Sequence, residues 1–331
     1  MKIFLTGGTG FIGQPLTRKL IERGWEVTAL VRNPNSPQSK AIQSMGAKLA
    51  QGDVTSRESM QDAMQGADAV IHNAAWYEFG VSKAALERMR LINVQGTINT
   101  LELALELGIP KMVYTSTALI FGDTGDRIAD ESFQRGAPPK SAYEQTKTEA
   151  HACVRQLQEA GAPIVIVCPA RVIGPGDPSS SGSLVRMYVR GFLPPVLFAR
   201  DGRIASVHVE ETAEGIVRCV ERGRIGETYI LSNGNMRHKD EFDLWKQTPG
   251  GFKTTLFYMP KWMAMPFNRI AEPIERLFGL PLVFSREFAL TAFGNWQFTA
   301  AKAERELGMN FRSLEEAWLD ILQAERAALA R

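Results

Sequence analysis

Thr6-Gly7-Gly8-Thr9-Gly10-Phe11-Ile12-Gly13 is the stretch whose reading decides the fold. It follows the apolar run Lys2-Ile3-Phe4-Leu5, which reads as a strand. It leads into a segment with Ile12, Leu16 and Leu20 at helical spacing, closed by Gly24. Gly7, Gly10 and Gly13 form Gly-x-x-Gly-x-x-Gly. The first permits a sharp turn out of the strand, the second lets backbone approach a pyrophosphate, and the third lets helix and strand pack closely. A helix N-terminus here offers unpaired N–H groups and partial positive charge to phosphates. Such a trio can also be a plain strand–helix turn. Its place after a strand and before a helix points to dinucleotide binding, with Thr6, Gly7, Thr9, Gly10, Phe11, Ile12 and Gly13 at the coenzyme.

Working outward, residues 25–31, 47–50, 68–72, 111–115 and 164–168 read as further strands. Residues 56–65, 86–107, a segment from Ser141, and 210–221 read as helices. Strands alternating with helices imply right-handed crossovers and an α/β fold with a doubly wound parallel (Rossmann) sheet. The texture changes after Pro169, where Pro175-Gly176-Asp177-Pro178 and a serine-rich run read as loop. Residues 1–170 are therefore expected to form an NADP(H)-binding Rossmann domain, its sheet completed by part of 200–232. Residues 171–331 are expected to form mainly a smaller, mixed substrate-binding lobe.

The composition agrees with a globular protein: of 331 residues, 44% are hydrophobic and 22% charged. Thirty-eight basic and 36 acidic residues nearly cancel, and no basic block argues for nucleic acid. Cys153, Cys168 and Cys219 are isolated, and the four histidines show no ligand spacing, so no metal site is expected. No secretory leader is expected ahead of the strand at Lys2. The most apolar stretch, residues 256–282, is interrupted by Lys261, Arg269, Glu272, Glu275 and Arg276, so membrane insertion is not expected. A cytoplasmic location follows as an expectation.

The end of the second strand bears on the coenzyme. An acid ~20 residues beyond the glycines would bind the ribose hydroxyl of NAD. Val31-Arg32-Asn33-Pro34 has none, and the Arg32 guanidinium can instead chelate a 2′-phosphate. NADP(H) is favoured, with NAD(H) the alternative. Asp53 and Val54 follow the third strand; Asp53 either accepts from an adenine amine or N-caps the next helix. Asn73-Ala74-Ala75 follows the fourth, where small residues let backbone press on a coenzyme.

Tyr143-Glu144-Gln145-Thr146-Lys147 puts Tyr143 and Lys147 one above the other on a helix face. Ser141-x-x-Glu144 reads as a capping box that starts this helix. A phenol with a pKa of ~10 is a poor acid–base at neutral pH, and a neighbouring ammonium is expected to lower it. Tyr143 can then exchange a proton with a substrate oxygen. An isolated Tyr-x-x-x-Lys is otherwise a half-buried tyrosine beside a surface lysine. The hydroxyl that orients the carbonyl is assigned to Thr117, at the end of the strand Val113-Tyr114-Thr115-Ser116, with Ser116 as the alternative.

These motifs, with Asn93-Val94-Gln95-Gly96-Thr97 and Pro169-Ala170-Arg171-Val172-Ile173-Gly174-Pro175, occur in an order that resembles the extended short-chain dehydrogenase/reductases, the NAD-dependent epimerase/dehydratase type. The resemblance covers residues 1 to about 235, and weakly 236–298. It implies Tyr143 as acid/base, Lys147 on the ribose, Thr117 at the reacting oxygen, and Pro169, Ala170 and Val172 at the nicotinamide. Within the family, Arg32 and its neighbours resemble the dihydroflavonol reductase and cinnamoyl-CoA reductase branch, which uses NADPH. Relatives often form homodimers through the helices matching 86–107 and 141–160.

Trp76, Tyr77, Met187 and Phe192 are the candidate substrate contacts, alongside Thr117; the bland alternative is core and lid packing. The leading expectation is an NADPH-dependent reductase of a small apolar or aromatic ketone or aldehyde. The alternative is a nucleotide-sugar epimerase/dehydratase with tightly held NAD. A dinucleotide sensor on the same fold has no need of the Tyr143–Lys147 pair.

Overall fold

The computed structural model describes residues 1–191, 196–248, 257–280 and 282–329. In chain order its strands are β1 (Lys2–Thr6), β2 (Glu26–Val31), β3 (Lys48–Gln51), β4 (Ala69–His72), β5 (Met112–Thr115), β6 (Ile164–Pro169), β7 (Arg171–Ile173), β8 (Val196–Phe198), β9 (Arg203–His208), β10 (Thr228–Leu231), β11 (Gly234–Arg237) and β12 (Phe257–Met259). The helices of the coenzyme side are α1 (Gly13–Glu22), α2 (Pro37–Ser44), α3 (Glu58–Met64), α4 (Lys83–Arg90), α5 (Gly96–Glu106) and α6 (Ala142–Glu159). Then come α7 (Ser180–Val189), α8 (Val209–Arg222), α9 (His238–Gln247), α10 (Lys261–Leu277), α11 (Arg286–Ala292), α12 (Ala301–Leu307) and α13 (Leu314–Leu329).

Seven parallel strands form the central sheet in the order β3-β2-β1-β4-β5-β6-β10. The central strands are apolar on both faces because helices cover both: Phe4, Leu5, Val70, Ile71, Val113 and Ile166 are all fully buried. The seventh strand, β10, comes from far along the chain. Helix α8 before it packs on α1, tied by Arg18 to Glu210 and by Arg23 to Glu214 and Glu221. Strand order reverses between β1 and β4, where Thr6 pairs with His72. A crevice opens beyond the carboxyl ends of strands at such a switch point.

A smaller body sits above this crevice. Strands β7, β9 and β11 form one small sheet, and β8 with β12 another. A second core gathers Trp245, Trp318, Tyr188, Phe242 and Ile321 from α7, α9 and α13.

The helix expected over 86–107 is a longer rod with a defect. α4 and α5 are joined by a π-helical turn, Leu91–Gln95, which carries the buried Asn93. One extra residue per turn re-aims side chains, and periodicity alone does not reveal it.

Candidate active site

A cleft of about 790 Å³ runs along the switch point, bounded by both bodies. Its coenzyme end starts at the glycine turn. Gly7 has φ of 73°, and a Cβ there would lie 2.7 Å from Ala74 N, so the turn and the loop after β4 touch backbone to backbone. Gly7, Thr9, Gly10, Phe11 and Ile12 line the cleft.

Thr6 and Gly13, expected at the coenzyme, do not line it. Thr6 is fully buried beneath the turn, where its hydroxyl accepts from the N–H groups of Asn73 and Ala74. It therefore donates to His72 Nδ1 (2.9 Å). His72 Nε2 then donates to Thr97 Oγ1, which donates to the Asn93 carbonyl. Burial, aided by Lys147, holds His72 down to about 3, so this relay works with a neutral ring. Gly13 packs against the turn instead: a Cβ would meet Gly7 O at 2.0 Å.

Arg32, Asp53, Val54, Asn73, Ala74 and Ala75 all line the coenzyme end. Arg32 is exposed at its rim. Asp53 is not a helix N-cap, since that position before α3 belongs to Arg57. Its Oδ1 instead accepts from the backbone and hydroxyl of Thr55, a local Asx turn that outcompetes the cap. Asn73 Oδ1 is buried without a partner. An unpaired buried acceptor is costly, so this one suits a bound donor. The backbone cradle at Gly7 and this acceptor together fit a dinucleotide.

The α6 platform forms as expected at its start: Ser141 Oγ accepts from Glu144 N (3.1 Å). The return bond differs. Glu144 is buried, and its carboxylate takes Lys140 N–H and Arg135 rather than Ser141 N–H. The Arg135 charge pulls the carboxylate one residue further back.

Tyr143, Lys147 and Thr117 all line the cleft, and all are buried. Thr117 Oγ1 accepts from Leu119 N at 3.3 Å, at the start of the short turn after β5. Ser116, the alternative, is hydrogen-bonded to His151 Nδ1 (3.1 Å). Lys147 Nζ donates to the Thr115 carbonyl (2.8 Å) and lies 4.7 Å from the Tyr114 ring centre.

The expected depression of the tyrosine is corrected here. Burial pushes the Tyr143 phenol above its usual value, and Thr117 only partly offsets this. Burial also pushes Lys147 down, to about 7. In a dry site each group favours its neutral form, and the ammonium is directed at a carbonyl rather than at the phenol.

Pro169, Ala170 and Val172 line the opposite wall, at the β6–β7 junction. At the substrate end, Trp76 and Tyr77 line the cleft, and the Tyr77 ring meets Tyr143 edge-on at 4.6 Å. Met187 is absent from the lining. Ser181, on the first turn of α7, reaches the cleft, and Met187 six residues on points roughly 240° round the helix. Phe192 lies outside the described residues.

Sequence reasoning missed several wall residues: Asp177, His238, Phe288 and Thr291. They come from distant segments with no local pattern. It also gave no role to Asn93, which clamps Trp76 through both N–H and C=O (2.7 and 3.0 Å) and donates to Thr146 Oγ1. An Asn inside an apolar-periodic helix was the available signal.

The NAD dependent epimerase/dehydratase family model matches residues 3–232. A putative dihydroflavonol 4-reductase of Synechocystis sp. is 31% identical, over 96% of this chain and 92% of its own length. A 4-hydroxy-2-methyl-3-oxo-4-farnesyl-3,4-dihydroquinoline-1-oxide ketoreductase of Stigmatella aurantiaca is 28% identical, over 98% and 96%. The crystal structure of gox2253 superposes with a TM-score of 0.82 at 30% identity, covering 98% of each chain. With the glycine turn, the switch-point cleft and these relatives in agreement, the chain belongs to the NAD dependent epimerase/dehydratase family and is an NAD(P)-dependent oxidoreductase of the extended short-chain dehydrogenase/reductase type.

Proposed function

We propose that this protein is an NADPH-dependent reductase of an apolar ketone or aldehyde, acting through Thr117, Tyr143 and Lys147. One observation carries it: Thr117, Tyr143 and Lys147 all line the same cleft as the Gly7–Ile12 turn. The bound coenzyme supplies the hydride equivalent that the protein lacks. The protein's own part is the proton. Burial keeps Tyr143 protonated, so its phenol O–H breaks as an O–H forms on the carbonyl oxygen, which Thr117 orients. A charged Lys147 then offsets the phenolate left behind. Asn73 and Lys147 are the polar groups that would hold the coenzyme.

Arg32 at the rim of the coenzyme end, with no acid after β2, supports NADPH over NADH. Phe79, Phe288, Trp296 and Phe298 in the lining support an apolar substrate, alongside Trp76 and Tyr77. The names of the two relatives, a dihydroflavonol reductase and a ketoreductase of a farnesylated ring, point the same way.

The test is NADPH consumption with a panel of apolar carbonyls. Tyr143→Phe is expected to lower kcat by roughly 10²–10⁴ while NADPH affinity changes little. Intact turnover in that variant would remove Tyr143 from the mechanism. Denaturing the purified protein and identifying any released nucleotide tests the other reading, since an epimerase or dehydratase would release tightly held NAD.

A further inference from the structure

Helix α10 is built inside out. The side chains it turns to the protein are small or polar: Ala264, Asn268, Ala271 and Glu275 are buried. The opposite side carries Trp262, Ile270 and Leu277, exposed at 75%, 68% and 79%, with Ile274 beside them. At about 100° per residue these side chains, with Pro266 and Pro273, span an arc of roughly 120° facing away from the buried one. A helix on an aqueous surface shows the reverse order. Phe278 and Leu280, also exposed, extend the surface past the helix end. Contiguous apolar surface of this kind marks a docking face.

The charges around the arc say what covers it. Lys261 and Arg269 on α10 and the neighbouring Arg286 are exposed, and among the described residues none has a carboxylate partner. The two acids of α10 are both engaged within the protein. Glu275 is buried and accepts from Phe284 N, while Glu272 takes Arg276 and the Arg286 N–H. Cations flanking one edge of an apolar arc suit an anionic lipid surface. A second copy packed antiparallel about a two-fold axis at mid-helix would bring Arg269 against its own copy. Trp262 at the helix start suits the water–lipid boundary. No helix among the described residues is long and apolar enough to cross a membrane, so α10 lies in the plane. It packs on α11 through Ala264 and Ala289, and α11 supplies Phe288, Thr291 and Ala292 to the cleft wall.

We propose that α10 docks on an anionic lipid bilayer, with its Trp262–Leu277 arc in the acyl boundary and Lys261, Arg269 and Arg286 among the headgroups, setting the substrate end of the cleft against the membrane. Resting on the reductase reading, the consequence is a carbonyl substrate drawn from the bilayer rather than from water.

The full chain should co-sediment with sucrose-loaded vesicles of phosphatidylcholine and phosphatidylglycerol, and much less with phosphatidylcholine alone. Ile270→Glu with Leu277→Glu should weaken binding at least tenfold, since both side chains leave the acyl boundary. Arg269→Gln should weaken it roughly fivefold. Both substitutions fall on exposed positions, so circular dichroism and turnover of a water-soluble carbonyl should match wild type. Failure of the wild type to sediment, equal binding to both vesicle types, or binding untouched by the double substitution overturns the proposal. So does a wild-type dimer that the double substitution dissociates without any vesicle binding. Sedimentation needs no turnover, so loss of the reductase reading would leave this result standing on its own.

Discussion

Tyr143 and Lys147 sit where burial favours the uncharged form of both, and this sets the pH behaviour at the residue scale. The Lys147 ammonium is held down to about 7, so it is fully charged only at lower pH. If the charged form assists proton donation, kcat/KM for NADPH falls as pH rises through about 7, and an initial-rate profile from pH 6 to 9 checks this. A flat profile would separate Lys147 from the chemistry. Arg32 carries a prediction of a different kind. It is exposed, so removing it should leave folding unchanged. Arg32→Glu is expected to weaken NADPH binding at least tenfold by repelling a 2′-phosphate, with NADH binding retained, as titration calorimetry would show. The sequence singled out both residues because each belongs to a local pattern, and both line the cleft. The direction of the Tyr143 shift was not, because it depends on solvent exclusion by segments far away in the chain.

At the scale of elements, the π-helical turn between α4 and α5 is the informative departure. It gives Asn93 the aim needed to bond Trp76 backbone and Thr146 together, joining the β4 loop to the Tyr143 helix. Asn93→Ala strands the half-buried Trp76 N–H and C=O and takes a donor from the buried Thr146 hydroxyl, at up to about 1–3 kcal/mol for each group left unpaired. The melting temperature should drop by several degrees, and kcat should fall although Asn93 touches no reacting atom. Amide exchange at Trp76 should accelerate, which a remote structural effect would not produce. The periodic pattern predicted a helix here and the helix exists. The inserted residue was hidden because a π turn keeps most of the local hydrogen bonds and costs little in propensity.

At the scale of the whole molecule, the cleft exists because two bodies meet over the switch point. Arg171, at the start of β7, pairs with the buried Glu241 of α9 and lies 5.6 Å from the Trp318 ring of α13. One side chain thus ties the strand next to the coenzyme wall to two helices of the second core. Glu241→Leu would take away the carboxylate that balances the half-buried Arg171 charge and leave its guanidinium the Ser206 hydroxyl alone. Urea unfolding is expected to show a loss of about 3 kcal/mol, with a raised KM for substrate as the wall loosens. Replacing both residues together with Met and Leu should recover part of the stability, since the penalty comes from the uncompensated charge.

Spacing and alternation along the chain determined the parallel sheet, the glycine turn and the Tyr143–Lys147 face. These are repeats of 2.0 and 3.6 residues and turn chemistry, all local in sequence. Tertiary structure alone decided that Thr6 and Gly13 support the turn from beneath while Ser116 bonds His151. It also decided that Asp177, His238 and Phe288 line the cleft. Those outcomes depend on which distant segments exclude water from the same cleft, and no short-range pattern encodes that.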